Sequence, residues 1–206
     1  MKIDLNKIVT LDFETYYSTE YSLTKPIYNT SAYIRDPQFK AHCCAVKIGK
    51  KASRCYATAE LPSIFAQIDW KEYALLAHNT AFDGLILKEH YDIVPRFYYD
   101  TLSMTRGLHN EVSRAKLGII AKLYQLGAKH EGALENTKNK HDLNPGELKR
   151  LMRYCINDNE LCWQIFLKQS EVFPRDELEL IDLTVRMFCD SREEQVQALQ
   201  SFHRIY

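Results

Sequence analysis

IVTLDFE, residues 8–14, is a β-branched and apolar run that closes on two carboxylates. Residues 8–13 are expected to form a strand. Because strand side chains alternate with period two, Asp12 and Glu14 leave the same face of the sheet, about 7 Å apart along the backbone. A strand face sealed into a core does not carry charge. Two adjacent anions repel and lose hydration, so the pair makes sense at the end of an apolar strand if a divalent cation neutralises it. Taken alone, the pair also fits two acids that merely enter a loop.

Outward from this strand, residues 15–33 are polar and tyrosine-rich without a clear period, as in a loop or short insertion. Residues 41–48 (AHCCAVKI) and 52–58 (ASRCYAT) are β-prone and joined by Gly49-Lys50-Lys51, which predicts an antiparallel hairpin. Residues 61–68 have helical spacing. Residues 73–78 (YALLAH) form a nearly continuous apolar run, as expected of a strand covered on both faces, and residues 82–90 read as the helix after it. Residues 97–99 are a candidate fifth strand. Helical patterns then dominate, at 115–126, 146–168 and 176–189, and Asn144-Pro145 supplies an N-cap and first-turn proline for the middle one. The expected class is α/β, a five-stranded mixed sheet of three antiparallel and two parallel strands flanked by helices.

The chain has 206 residues, 46% of them apolar, enough for one sizeable core and one domain by default. Lys+Arg and Asp+Glu both number 27, so no overall positive field pulls the molecule towards nucleic acid. Any such contact must come from local patches. The longest lies in residues 37–59, where Lys40, Lys47, Lys50, Lys51 and Arg54 occur without a carboxylate; its plain reading is a solvated hairpin. The six cysteines form no C-x-x-C pair and several sit in apolar runs, which suits small core residues in a reducing cytoplasm. No segment approaches eighteen consecutive apolar residues, and the first residues lack a signal-peptide plan, so a soluble, intracellular chain with no membrane partner is expected.

Two further acids fall at element boundaries. Asp83 lies in His78-Asn79-Thr80-Ala81-Phe82-Asp83, where the fourth strand passes into a helix; alone it suits an acid favoured by the helix dipole. Asp158 follows Tyr154 by four residues, so phenol and carboxylate share one helical face. D-x-E on a strand, N-x-x-x-D at a strand end and Y-x-x-x-D on a late helix each fall on the element they require.

In this order the motifs resemble those of the DEDD (DnaQ-like) 3′-to-5′ exonuclease superfamily, tyrosine branch, through TLDFET (residues 10–15), AHNTAFDG (77–84) and YCINDNE (154–160). The chain looks closer still to the proofreading domains of bacteriophage family A DNA polymerases, through LDFETYYSTEYSL (11–23), YIRDPQF (33–39), YDTLSM (99–104) and ELIDLTVRMFC (179–189). The likeness runs to about Cys189, which implies an exonuclease domain over 1–190 and a C-terminal tail over 191–206. It implies a ribonuclease H-like fold and hydrolysis of phosphodiesters at DNA 3′ ends, single-stranded ones preferred, with two Mg2+ or Mn2+ ions. Asp12, Glu14 and Asp158 would hold one ion, and Asp12 with Asp83 the other.

Tyr154, with an ordinary phenol pKa of about 10, suits a hydrogen-bond partner better than a base at neutral pH. Phe13, Tyr16, Tyr17 and Phe82 flank the acids and are candidates for stacking on unpaired bases, with core or loop packing as the plain reading of each. Asn79 is a candidate substrate contact or a turn former, and His78 and His141 read as structural or surface residues. The resemblance leaves open a partner polymerase domain or subunit. It also leaves open an RNA-directed exonuclease of the same superfamily and an inactive nucleic-acid-binding module with this fold.

Overall fold

The computed structural model describes residues 3–109, 115–127 and 135–190. The expected tail over 191–206 lies outside them. In chain order the elements are β1 (Ile8–Thr15), α1 (Thr30–Arg35), β2 (Ala41–Ile48), β3 (Arg54–Ala57), α2 (Leu61–Phe65), β4 (Ala74–Ala77), α3 (Thr80–Tyr91), β5 (Phe97–Asp100), α4 (Thr101–Leu108), α5 (Leu117–Leu123), α6 (Pro145–Val172) and α7 (Arg175–Cys189).

The strands form one sheet in the order β3-β2-β1-β4-β5. β1, β2 and β3 run antiparallel, and β4 and β5 add in parallel with β1. This is the mixed α/β sheet that the sequence predicts. Leu75 and Leu76, neighbours on β4, are both fully buried, which confirms a strand covered on both faces. β1 lies at the centre. It connects to β2 on one side while β4 connects to β5 on the other, so the carboxyl ends of β1 and β4 open a crevice at the switch in strand order.

β1 extends two residues beyond the expected run, because Glu14 pairs with Cys43 and Thr15 with Ala41 across a register shift. Asp12 pairs with Ala45, so Asp12, Glu14, Cys43 and Ala45 share one face. That face is covered by α6, through Leu151, Tyr154 and Cys155. The opposite face carries Val9, Leu11 and Phe13 into the main core with Phe65 and Leu85. α6 starts as predicted: Asn144 and Glu147 form a reciprocal capping box around Pro145. The helix is longer than the 146–168 pattern at both ends. α7 closes the unit, with Leu178, Val185 and Cys189 buried and the Asp182 carboxylate accepting the Tyr98 N–H at 2.7 Å.

Three readings change. The tyrosine-rich segment is a packed aromatic cluster rather than an open loop: Tyr21 is buried and stacked on Tyr33 at 4.4 Å, and α1 follows, capped by the Asn29 side chain. α2 stops at Phe65, short of the expected 68, and α4 was not visible because its start is fixed by the Asp100 side chain rather than by a periodic pattern. Lys47 does not belong to a solvated hairpin. It is 4% exposed, with its ammonium 3.0 Å from a Glu160 carboxylate oxygen, 2.7 Å from the Lys51 carbonyl and over the Trp163 ring. Lys50, Lys51 and Arg54 do face solvent, and Lys40 pairs with Asp142 at 2.6 Å.

All six cysteines are free, and all but Cys55 are buried. Among the described residues no helix is long and apolar enough to cross a membrane.

His42 gives the fold a pH dependence. Its burial, with the nearby charges of Lys40 and His141, lowers its pKa from 6.5 to about 4. The unfolded chain therefore takes up this proton first, so the contribution to stability is complete above about pH 6.5 and is lost as pH falls through about 4. His42→Gln is expected to flatten this part of the stability curve. Urea midpoints from pH 7 to 4 check it, and equal pH slopes for the two chains would remove His42 as the cause.

Candidate active site

Three elements converge at the carboxyl end of β1. The first is β1 itself, which presents Asp12 and Glu14. An oxygen of each carboxylate and the Cys155 sulfur lie within 4.8 Å of one another. The Cys155 thiol also donates to the Asp12 carbonyl at 3.0 Å, so this turn of α6 is docked directly on the strand.

The second is α3, whose first turn carries Asp83. This side chain is 5% exposed, and its Oδ1 accepts the Phe13 N–H at 3.1 Å, which places it against the backbone between Asp12 and Glu14. Burial first, and then the charge of Asp12, push the Asp83 carboxyl well above the ordinary range. The two acids therefore face each other in a poorly hydrated space.

The third is α6, where Tyr154 and Asp158 stand one turn apart and each is 4% exposed. The Tyr154 phenol is pushed up by burial, then by the negative charge of Asp158 and Glu14, by a hydrogen bond with Asp158 and by Asp12. It is a protonated hydroxyl at neutral pH. All five residues read from the motifs thus share one neighbourhood.

Such a group suits a hard divalent cation. Asp83 is already forced towards its neutral form, and four carboxylates at this spacing pay a repulsion that a bound cation removes. The donor set is oxygen-rich, which favours Mg2+ or Mn2+ over softer metals.

The flanking residues separate. Phe13 is sealed in the core between Phe65 and Tyr91, at ring distances of 6.2 Å to each, so packing is the role it takes. Phe82 is half-buried, 6.1 Å from the Tyr33 ring. Tyr16 is half-buried and stacked on Tyr21. Asn79 adopts the left-handed conformation, φ 82°, a state that asparagine tolerates better than most residues. Its N–H donates to Asp100 Oδ1 at 2.8 Å. His78 is structural, bridging the Thr101 hydroxyl and the Ala115 carbonyl at 2.8 Å each. His141 sits at the surface beside Asp142.

Sequence reasoning missed two organisers. The Asp100 carboxylate gathers the N–H groups of Asn79, Thr80 and Leu102 and the Ser103 hydroxyl, fixing the turn that delivers Asp83; YDTLSM was its signal. Asn159 is fully buried. Its amide donates to the carbonyls of Thr10 at 3.0 Å and Ala45 at 3.2 Å, and its oxygen accepts the Ser53 hydroxyl at 2.8 Å. It locks the turn bearing Asp158 onto β1 and β2. A second buried polar residue beside an acid, in NDNE, was the available hint.

No protein-family model matches the chain, and no curated protein matches it by sequence. Solved structures do resemble it. Brucella melitensis NrnC with bound Mg2+ superposes with a TM-score of 0.61 at 13% identity, covering 89% of this chain and 82% of that one. Trypanosoma brucei RNase D, also solved in complex with RNA U12, has a TM-score of 0.65 at 13% identity over 90% of this chain and 66% of that one. The family B DNA polymerase of Pyrobaculum calidifontis matches at 0.52 and 15% identity, over 79% of this chain and 24% of the polymerase. The chain therefore has the ribonuclease H-like α/β fold of exonucleases, with its acidic group where β1 and β4 end.

Proposed function

We propose that the chain is a metal-dependent 3′-to-5′ exonuclease that removes nucleotides one at a time from single-stranded or frayed DNA 3′ ends and releases nucleoside 5′-monophosphates. The observation that carries this reading is the convergence of Asp12, Glu14, Asp83, Asp158 and Tyr154, from three elements, on one buried acidic crevice.

In this reading Asp12, Glu14 and Asp158 hold one divalent ion, and Asp12 with Asp83 holds a second. When bound, such ions neutralise the phosphate, activate the attacking water and stabilise the departing 3′ oxygen. Tyr154 keeps its proton on Oη and, hydrogen-bonded to Asp158, orients the attacking water rather than removing its proton. Phe82 is a half-buried aromatic side chain next to Asp83 and suits stacking on a terminal base, a contact worth about 1–3 kcal/mol. Asn79, held by Asp100, lines the same turn as a substrate contact. Residues 1–190 form the nuclease unit. The sequence likeness to phage family A polymerases supports a proofreading role beside a polymerase domain or subunit, in the cytoplasm of the host cell.

A second reading is an RNA-directed exonuclease, favoured by the fold shared with an RNase D seen with RNA U12 and by NrnC seen with pGG. The four acids do not read the sugar. Single-stranded DNA, a mismatched primer-template and matched RNA, each 5′-labelled, separate these readings when incubated with Mg2+ or with chelator. A Mg2+-dependent ladder shortening from the 3′ end, faster on DNA, is expected. Faster shortening of RNA favours the second reading, and no shortening of any substrate leaves a binding module.

Tyr154→Phe is expected to lower the single-turnover rate about tenfold to a hundredfold with metal affinity nearly unchanged, because one orienting hydroxyl is lost. An unchanged single-turnover rate would remove Tyr154 from the mechanism.

A further inference from the structure

Behind the acidic crevice, three thiols that no sequence spacing connects are brought together. Cys43 on β2, Cys55 on β3 and Cys155 on α6 have their sulfurs within 4.8 Å of one another. β2 and β3 pair with Ala45 opposite Cys55, which places Cys43 and Cys55 on the same face, and α6 lays Cys155 over them. Cys43 and Cys155 are buried, while Cys55 is partly exposed and leaves the cluster one approach from solvent.

We propose that Cys43, Cys55 and Cys155 form a binding site for one thiophilic divalent ion of the Zn2+ class, with three thiolate ligands and an open fourth position towards solvent. A tetrahedral Zn2+ with bonds of about 2.3 Å sets its sulfurs about 3.8 Å apart, so the three side chains need to close by about 1 Å at most. Thiolate is the ligand that separates such an ion from the hard cations suited to the carboxylates next door. Cys43 and Cys155 are buried, so thiolates there need a cation beside them.

Cys155 couples this site to the crevice. Its sulfur belongs to both groups, the three thiols and the Asp12–Glu14 pair, and its proton is the one donated to the Asp12 carbonyl. A thiolate on a metal has no such proton, so occupancy breaks that bond and brings positive charge against the acids. Loading the thiol site is therefore expected to depress the proposed Mg2+-supported activity.

The test is a Cd2+ titration of the fully reduced chain, read by thiolate-to-metal charge-transfer absorption. One equivalent should saturate the band. Cys55→Ser, at the partly exposed position and thus least disruptive to folding, and Cys43→Ser should each weaken binding on the order of a hundredfold. Asp12→Ala should keep the band. Absence of a stoichiometric band, or a band unchanged in Cys55→Ser, would overturn the proposal; so would loss of the band in folded Asp12→Ala, which would place the ion on the carboxylates. This readout stands whether or not the chain cleaves nucleic acid. In active enzyme with excess Mg2+, one equivalent of Cd2+ should slow the parent chain and spare Cys55→Ser, and equal inhibition of both would overturn the coupling.

Discussion

Asp12→Ala or Asp158→Ala is expected to lower nucleotide release on the order of a thousandfold or more while the chain stays folded. The size follows from the several kcal/mol of charge stabilisation that a held divalent ion supplies in phosphoryl transfer. Folding should survive because the acids crowd like charge into a poorly hydrated crevice. Asp12 raises the pKa of Asp83, so deleting Asp12 relieves a buried repulsion, and Asp158→Ala removes one of the four acids grouped there. Thermal melting with and without Mg2+ supplies the second readout. The parent chain should be stabilised by the ion, because a ligand bound by the native state alone raises the midpoint, and the variants should lose most of that gain. Full activity of either variant in Mg2+ would refute the assignment of these acids.

Asn159→Ala is the second large effect, and its first consequence is on stability. The side chain has no exposed surface and serves three partners at once: the Thr10 carbonyl, the Ala45 carbonyl and the Ser53 hydroxyl. Truncation leaves these groups buried with a bond missing, at a cost of roughly 2–4 kcal/mol. The next consequence is on rate, because the lost bonds are those that hold the turn of α6 carrying Asp158 against β1. Urea unfolding measures the first. Single-turnover cleavage, run well below the melting midpoint, measures the second. A variant as stable as the parent would show that neighbouring groups or water replace the amide, and this account of α6 docking would fall.

Much of this was legible in the chain because the relevant signals are local. The period-two pattern of IVTLDFE put Asp12 and Glu14 on one face, and the β1–β2 register shows that face lying under α6. Asn144, Pro145 and Glu147 announce the start of α6 within four residues, and i,i+4 spacing aligns Tyr154 with Asp158. Where a short element is fixed by one side chain rather than a period, as with Asn29 at α1 and Asp100 at α4, the pattern has too few residues to be read.

Partnerships across the sheet were decided elsewhere. Phe13 and Phe82 look alike beside their acids, yet Phe13 faces the core and Phe82 remains half-buried near the crevice. Lys47 reads as one more cation in a basic run until α6 brings Glu160 to 3.0 Å from it. The three thiols lie on three separate elements, so no short spacing in the chain could reveal them. By itself the sequence determined the strands and long helices, the shared faces and the four acids, since alternation, helical repeat and caps act between residues a few places apart. The tertiary structure alone decided which of those faces meet, because the packing of α6 across β1, β2 and β3 depends on contacts over a hundred residues apart, which no local pattern encodes.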